Sequence, residues 1–132
     1  MPFLTLTKNI KVKFGSEKDI FLLFLKGGSK NGYKRYLGSP LRYAGGKSLA
    51  VGYIIQLLPD NIEKVVSPFL GGASVEIAMA KELGIEVIGY DIFDILVNYW
   101  QVQLESPKEL YQELNKLKPT KEEYKRVKEI LK

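Results

Sequence analysis

Apolar positions along this chain fall into short blocks whose spacing changes character several times. Over residues 3–14, Leu4, Leu6, Ile10, Val12 and Phe14 alternate loosely with polar positions, the period of a half-buried strand or hairpin. Ser16 and Asp19 are placed to cap a short helix running to about Lys26. Gly27, Gly28, Ser29, Asn31 and Gly32 then form a flexible connector, ended by Gly38, Ser39 and Pro40. From Lys47 to Leu58 the apolar residues return at helical spacing, with Pro59 and Asp60 marking the stop.

The middle of the chain carries the clearest pattern. Val65 and Val66 precede the small-residue turn Gly71-Gly72-Ala73, which leads into a helical pattern from Ser74 to Leu83 closed by Gly84. A strand from Ile85 to Tyr90 follows, and Asp91 stands at its carboxyl end. Strand, glycine turn, helix, strand and acid make the first unit of a doubly wound α/β sheet. Beyond it, Asp94 is expected to cap a helix reaching about Leu104, with Leu96 and Trp100 as core positions. Ser106-Pro107-Lys108-Glu109 and Thr120-Lys121-Glu122-Glu123 open two more helices, and both fit the capping box. The count is only two firm parallel strands, whereas a parallel sheet normally has several strands and both faces covered. The amino-terminal residues or a partner are expected to complete it.

Composition narrows the classes. At 132 residues with 45% hydrophobic and 27% charged residues, the chain is sized and balanced for one folded domain. The longest apolar run, Ile20 to Leu25, is far too short for a membrane span. With no secretory signal pattern at the amino terminus, an intracellular, cytoplasmic location is expected. With no cysteine and no histidine, a zinc site would rest on carboxylates alone.

The formal charge of +5 is a modest bias toward anionic partners. Its distribution says more: Lys26, Lys30, Lys34, Arg35, Arg42 and Lys47 share a stretch with three tyrosines and no acid. Such interleaving suits phosphate contact with base stacking, and it equally suits a solvated loop.

At Gly71-Gly72-Ala73 the backbone can approach a ligand closely at a helix amino terminus, and Asp91 is placed to accept ribose hydroxyls. The pattern fits a nucleoside-containing cofactor, and the same glycines also serve a plain strand-to-helix connection. Gly45-Gly46-Lys47-Ser48 resembles the end of a P-loop, but Leu41 occupies the position of its first glycine. Nucleotide triphosphate hydrolysis is therefore not expected.

Two segments together resemble the Dam-type, or D12-class, adenine-N6 DNA methyltransferases. Ser39-Pro40-Leu41-Arg42-Tyr43-Ala44-Gly45-Gly46-Lys47-Ser48 is similar to that family's opening motif, and Pro68-Phe69-Leu70-Gly71-Gly72-Ala73-Ser74-Val75 is similar to its glycine turn. The resemblance runs from about Ser39 to Lys132 and includes Asp91 and the Asn98-Tyr99 pair. It implies an amino-terminal extension over 1–38 and, over 39–132, the S-adenosylmethionine-binding part of a Rossmann-like methyltransferase fold with an incomplete parallel sheet.

Carried over by position, the resemblance has Tyr43 packing on the cofactor and Lys47 meeting its carboxylate. Phe69, Gly71 and Gly72 form the pocket wall and turn, and Asp91 holds the ribose. Ser67 departs from the pattern, since many relatives have an acid there, and this weakens the expected contact to the methionine amino group. Gly72-Ala73 replaces the usual Ala-Gly order, which makes Gly72 the residue expected to take unusual backbone angles.

The family's catalytic Asp-Pro-Pro-Tyr is absent, for none of the six prolines adjoins another. In that family the tetrapeptide binds the amino group of a flipped adenine. The expectation is a donor-binding subunit of a split methyltransferase acting on double-stranded DNA, with a second subunit carrying the catalytic motif. A non-catalytic cofactor- or DNA-binding remnant and a truncated chain are the alternatives.

Overall fold

A computed structural model describes residues 3–6, 17–28 and 32–130. The chain forms two compact units, residues 1–97 and 98–132. The first contains β1 (Phe3–Leu6), α1 (Glu17–Lys26), α2 (Val51–Gln56), β2 (Lys64–Ser67), α3 (Ser74–Leu83) and β3 (Glu86–Tyr90), and α4 (Asp94–Glu105) begins within it. The second holds the rest of α4, α5 (Pro107–Asn115) and α6 (Lys121–Ile130).

The sheet has the order β1-β3-β2. β2 and β3 run parallel, with Val65 beside Val87 and Ser67 beside Gly89, joined through α3 as the sequence predicts. β1 is the added strand, and it pairs antiparallel with β3, Phe3 opposite Tyr90 and Leu6 opposite Val87. The sheet is thus mixed rather than purely parallel. The expected strand or hairpin over 3–14 is described only at β1, and residues 7–16, Ser16 among them, lie outside the described residues.

Alternation sets the faces of the parallel pair. Val87 and Gly89 are buried on the side where α3 packs, and α1 and α2 lie against α3. Phe21 and Leu25 of α1, Val51 and Ile55 of α2, and Ala78 and Met79 of α3 fill the space between, all nearly inaccessible to solvent. The register places Val66 beside Ile88 on the opposite face, and Val66 is 57% exposed. A buried parallel sheet has helices on both faces; among the described residues α1, α2 and α3 gather on one side.

Several predicted boundaries shift. The helix expected from Lys47 begins only at Val51, because Gly45 takes φ +76° and residues 48–50 form a turn in which Ala50 N–H reaches the Lys47 carbonyl at 2.9 Å. Asp94 is not a cap but the first helical residue of α4, since the Phe93 carbonyl accepts from Val97 N–H at 3.2 Å. Ser106 does occupy the cap position of α5, yet its hydroxyl makes no capping bond. Thr120 behaves as predicted, its Oγ1 accepting the Glu123 N–H at 3.1 Å.

In the second unit Trp100 is buried and meets Tyr99 edge-on, with ring centroids 5.1 Å apart. α5 and α6 bury no residue and expose Tyr111, Leu114, Tyr124 and Ile130. Their ion pairs, Lys116–Glu113 and Arg126–Glu123, are short-range and solvated.

Candidate functional site

The turn between β2 and α3 is bent by two consecutive devices. Gly71 takes φ +52° and Ala73 takes φ +57°, so the left-handed residue beside Gly71 is Ala73 and not Gly72, contrary to the sequence expectation. An alanine there carries a small steric cost, and its methyl is 2% exposed within the core. Gly72 is required for proximity instead: a Cβ on it would stand 3.0 Å from the Tyr43 Cβ. Tyr43 therefore lies directly over the turn, and the Ser39 hydroxyl donates to the Gly72 carbonyl from the same segment.

Asp91 holds this turn against the end of β3. Its Oδ2 accepts the Gly71 N–H at 3.0 Å and its Oδ1 accepts the Phe93 N–H at 3.0 Å. Beside it, Leu70 N–H reaches the Tyr90 carbonyl at 2.8 Å. The acid at the strand end thus has a structural task as well as a position facing the cavity.

A cavity of about 270 Å³ opens above the turn, and Tyr43, Lys47, Phe69, Gly71, Gly72 and Asp91 all line it. The six residues named from sequence are thus brought together at one place. Phe69 contributes an edge more than a wall, being 85% exposed. The Lys47 ammonium donates to the Gly45 carbonyl and is solvated.

Among the other lining residues Glu76 is the charged one that was not named from sequence. Glu76 sits in the first turn of α3, and the Ser67 hydroxyl at the end of β2 donates to its Oε1 at 2.8 Å. Burial raises the Glu76 carboxyl above the ordinary range, against the lowering effect of its own backbone N–H and of Ser67. Position 67, where the family pattern leads one to expect an acid, thus holds a hydroxyl that reaches one. Ser67 was legible as a departure, but its contact nine residues away was not.

The donor set suits a zwitterionic nucleoside. The lining offers one cation, Lys47, two carboxylates, Glu76 and Asp91, an aromatic ring and a close-approach glycine turn. A second cavity of about 720 Å³ shares Tyr43, Ala44, Gly46, Gly72 and Ser74 with the first, so the two adjoin. Arg35 and Arg42 line it with no acid, and the Arg35 guanidinium donates to the Ser48 hydroxyl at 2.7 Å.

Of the three tyrosines in the basic stretch, two are engaged in packing rather than available for stacking. Tyr36 is 7% exposed and donates to Glu82 Oε1 at 3.1 Å, and burial followed by the Glu82 charge pushes its phenol up. Tyr33 packs edge-on to Tyr53 and donates to Gln56 at 2.9 Å.

A glycine turn entering a helix, with a carboxylate at the end of the next strand, is an arrangement found in nucleoside-binding α/β proteins. The chain belongs to the D12 class N6 adenine-specific DNA methyltransferase family, whose model matches residues 43–132. It is 48% identical over 44 residues to the modification methylase StsI of Streptococcus sanguinis, a match covering 33% of this chain and 7% of that relative. No solved structure matches the chain. Among the described residues no group of acids is arranged to hold a metal, and no helix is long and apolar enough to cross a membrane.

Proposed function

We propose that residues 39–97 form the S-adenosylmethionine pocket of an adenine-N6 DNA methyltransferase, with the groups that orient the target base supplied by a second subunit. The carrying observation is that Tyr43, Lys47, Phe69, Gly71, Gly72 and Asp91 converge on one cavity beside a glycine turn. On this reading β2, α3 and β3 are the first unit of a Rossmann-like fold, and β2, at the sheet edge among the described residues, is where further strands would continue it. When bound, the donor supplies an electrophilic methyl group. Tyr43 packs against it, Lys47 meets its carboxylate, and Asp91, already oriented by Gly71 and Phe93, accepts from its ribose.

Double-stranded DNA approaches from the larger cavity. Arg35 and Arg42 present positive charge there without a competing acid, as phosphate contact requires. An Asp-Pro-Pro-Tyr does not occur in these 132 residues, so nothing here receives the adenine amino group.

Calorimetric titration with S-adenosylmethionine, paired with transfer of labelled methyl to mixed-sequence DNA, tests the reading. Donor binding with background transfer is expected from the chain alone, and adenine methylation once the motif-bearing polypeptide is added. Robust methylation by the chain alone would refute the division of labour. Donor binding without transfer in any company would favour a binding module.

A further inference from the structure

Glu76 is the acid of the cavity that the family pattern does not assign. It stands in the first turn of α3 among the cavity-lining residues, and the Ser67 hydroxyl reaches across the glycine turn to hold its Oε1 at 2.8 Å. We propose that the Glu76 carboxylate, positioned by Ser67, receives the ammonium of the amino-acid end of the methyl donor. The assignment rests on the donor-site reading above and specifies one contact within it.

Charge inventory carries the argument. An amino-acid end is zwitterionic and needs one cationic and one anionic partner. The cavity lining contains Lys47 as its one cation and Glu76 and Asp91 as its acids. Asp91 already accepts a backbone N–H on each oxygen, from Gly71 and from Phe93. Glu76 accepts from Ser67 and from its own backbone N–H, and an ionised carboxylate has about four lone-pair sites, so room for a cation remains, while on the donor-site reading the remaining sites of Asp91 go to the ribose.

Desolvation points the same way. A carboxylate moved out of water calls for a compensating cation, and among the described residues no lysine or arginine forms an ion pair with Glu76. Burial raises its carboxyl, and an arriving ammonium would reverse that penalty. The helix amino terminus offers a bland reason for an acid in this turn, a favourable dipole contact. It does not account for a hydroxyl from β2 holding that acid at the cavity wall.

The two roles separate by experiment. The 132-residue protein, wild type and Glu76→Gln, is titrated calorimetrically with S-adenosylmethionine and with 5′-methylthioadenosine, which keeps the nucleoside and lacks the amino-acid end. Glu76→Gln should weaken S-adenosylmethionine at least about tenfold, or about 1.4 kcal/mol, while methylthioadenosine binds both proteins equally. Ser67→Ala should shift donor affinity in the same direction by less, because it loosens the carboxylate without removing its charge.

Equal donor affinity in wild type and Glu76→Gln would overturn the assignment and leave the donor site standing. An equal loss for both ligands would also overturn it, since Glu76 would then be shaping the pocket. Failure of the wild type to bind either ligand would refute the donor-site reading itself, and this contact with it.

Discussion

Asp91 clamps the glycine turn and, on the proposed reading, accepts the donor's ribose, and a pair of substitutions can pull the two apart. Its Oδ2 holds the half-buried Gly71 N–H, and its Oδ1 holds the exposed Phe93 N–H, both at 3.0 Å. Hydrogen bonds to a charged group contribute about 1.5–3 kcal/mol each, and neutral ones about 1 kcal/mol. The bond to Phe93 is discounted, because water replaces a carboxylate at an exposed N–H. In Asp91→Asn the remaining carbonyl can keep Gly71 while the amide turns to solvent, so the loss is the step from charged to neutral, about 1 kcal/mol. In Asp91→Ala the bond to Gly71 goes entirely, and the cost rises to about 2–3 kcal/mol.

For a chain of this size about 1 kcal/mol lowers the melting temperature by about 3–6 °C. Thermal unfolding without ligand should therefore rank wild type above Asn and Asn above Ala. Calorimetry should find donor binding weakened at least about tenfold in both variants, because both remove the ribose-accepting charge. Unchanged melting in Asp91→Ala would refute the clamp; unchanged donor affinity in both would refute the ribose assignment.

Three further outcomes are expected. Gly52→Ala raises helix propensity by about 1 kcal/mol, but its Cβ would fall 2.4 Å from the Tyr33 Cγ. Displacing that ring costs about 1–3 kcal/mol, so chemical denaturation should show a net loss. Tyr36→Phe keeps the edge contact to Phe21, at 5.5 Å between centroids, and loses the bond to Glu82; a loss of about 1.5 kcal/mol is expected, the lower end for a charged acceptor that water can reach. The third concerns Glu76, whose folded carboxyl is raised. The folded state then holds that proton more tightly than the unfolded chain, so the stability it adds at acid pH is lost as pH rises through the folded value. Without ligand, melting of Glu76→Gln should lack this loss and exceed wild type at neutral pH; lower stability there would show that the charge supports the fold.

The contrast between α3 and α2 explains what was legible. α3 was readable to the residue because its signals are local: a glycine turn in front, and behind it Gly84 at φ +67°, after which the Ile85 N–H returns to the Met79 carbonyl at 3.1 Å. α2 shares its apolar spacing with the turn that precedes it, so periodicity placed the start at Lys47 and the chain places it at Val51. The six cavity residues could be named because each lies in a short motif. Glu76 could not, since its meaning comes from Ser67 across the turn. The stretch holding Tyr33 and Tyr36 suits base stacking and a solvated loop equally in the sequence, because nothing local reveals that α2 and Glu82 occupy the two rings. The antiparallel pairing of β1 was equally hidden, because register between distant segments leaves no local mark.

That pairing also imposes a timetable on biosynthesis. Leu6 has its sheet partner in Val87, so β1 leaves the ribosome long before anything exists for it to pair with. At roughly 5–20 residues per second the wait is about 4–16 s. Through that interval the nascent chain carries an unpaired strand, a template for wrong pairing. Closure of the sheet and delivery of Asp91 to the glycine turn then come almost together, because β3 ends at Tyr90. The nascent chain should thus gain its strand partner and the acid that clamps its glycine turn in one late step, and arrested chains ending before β3 should have neither.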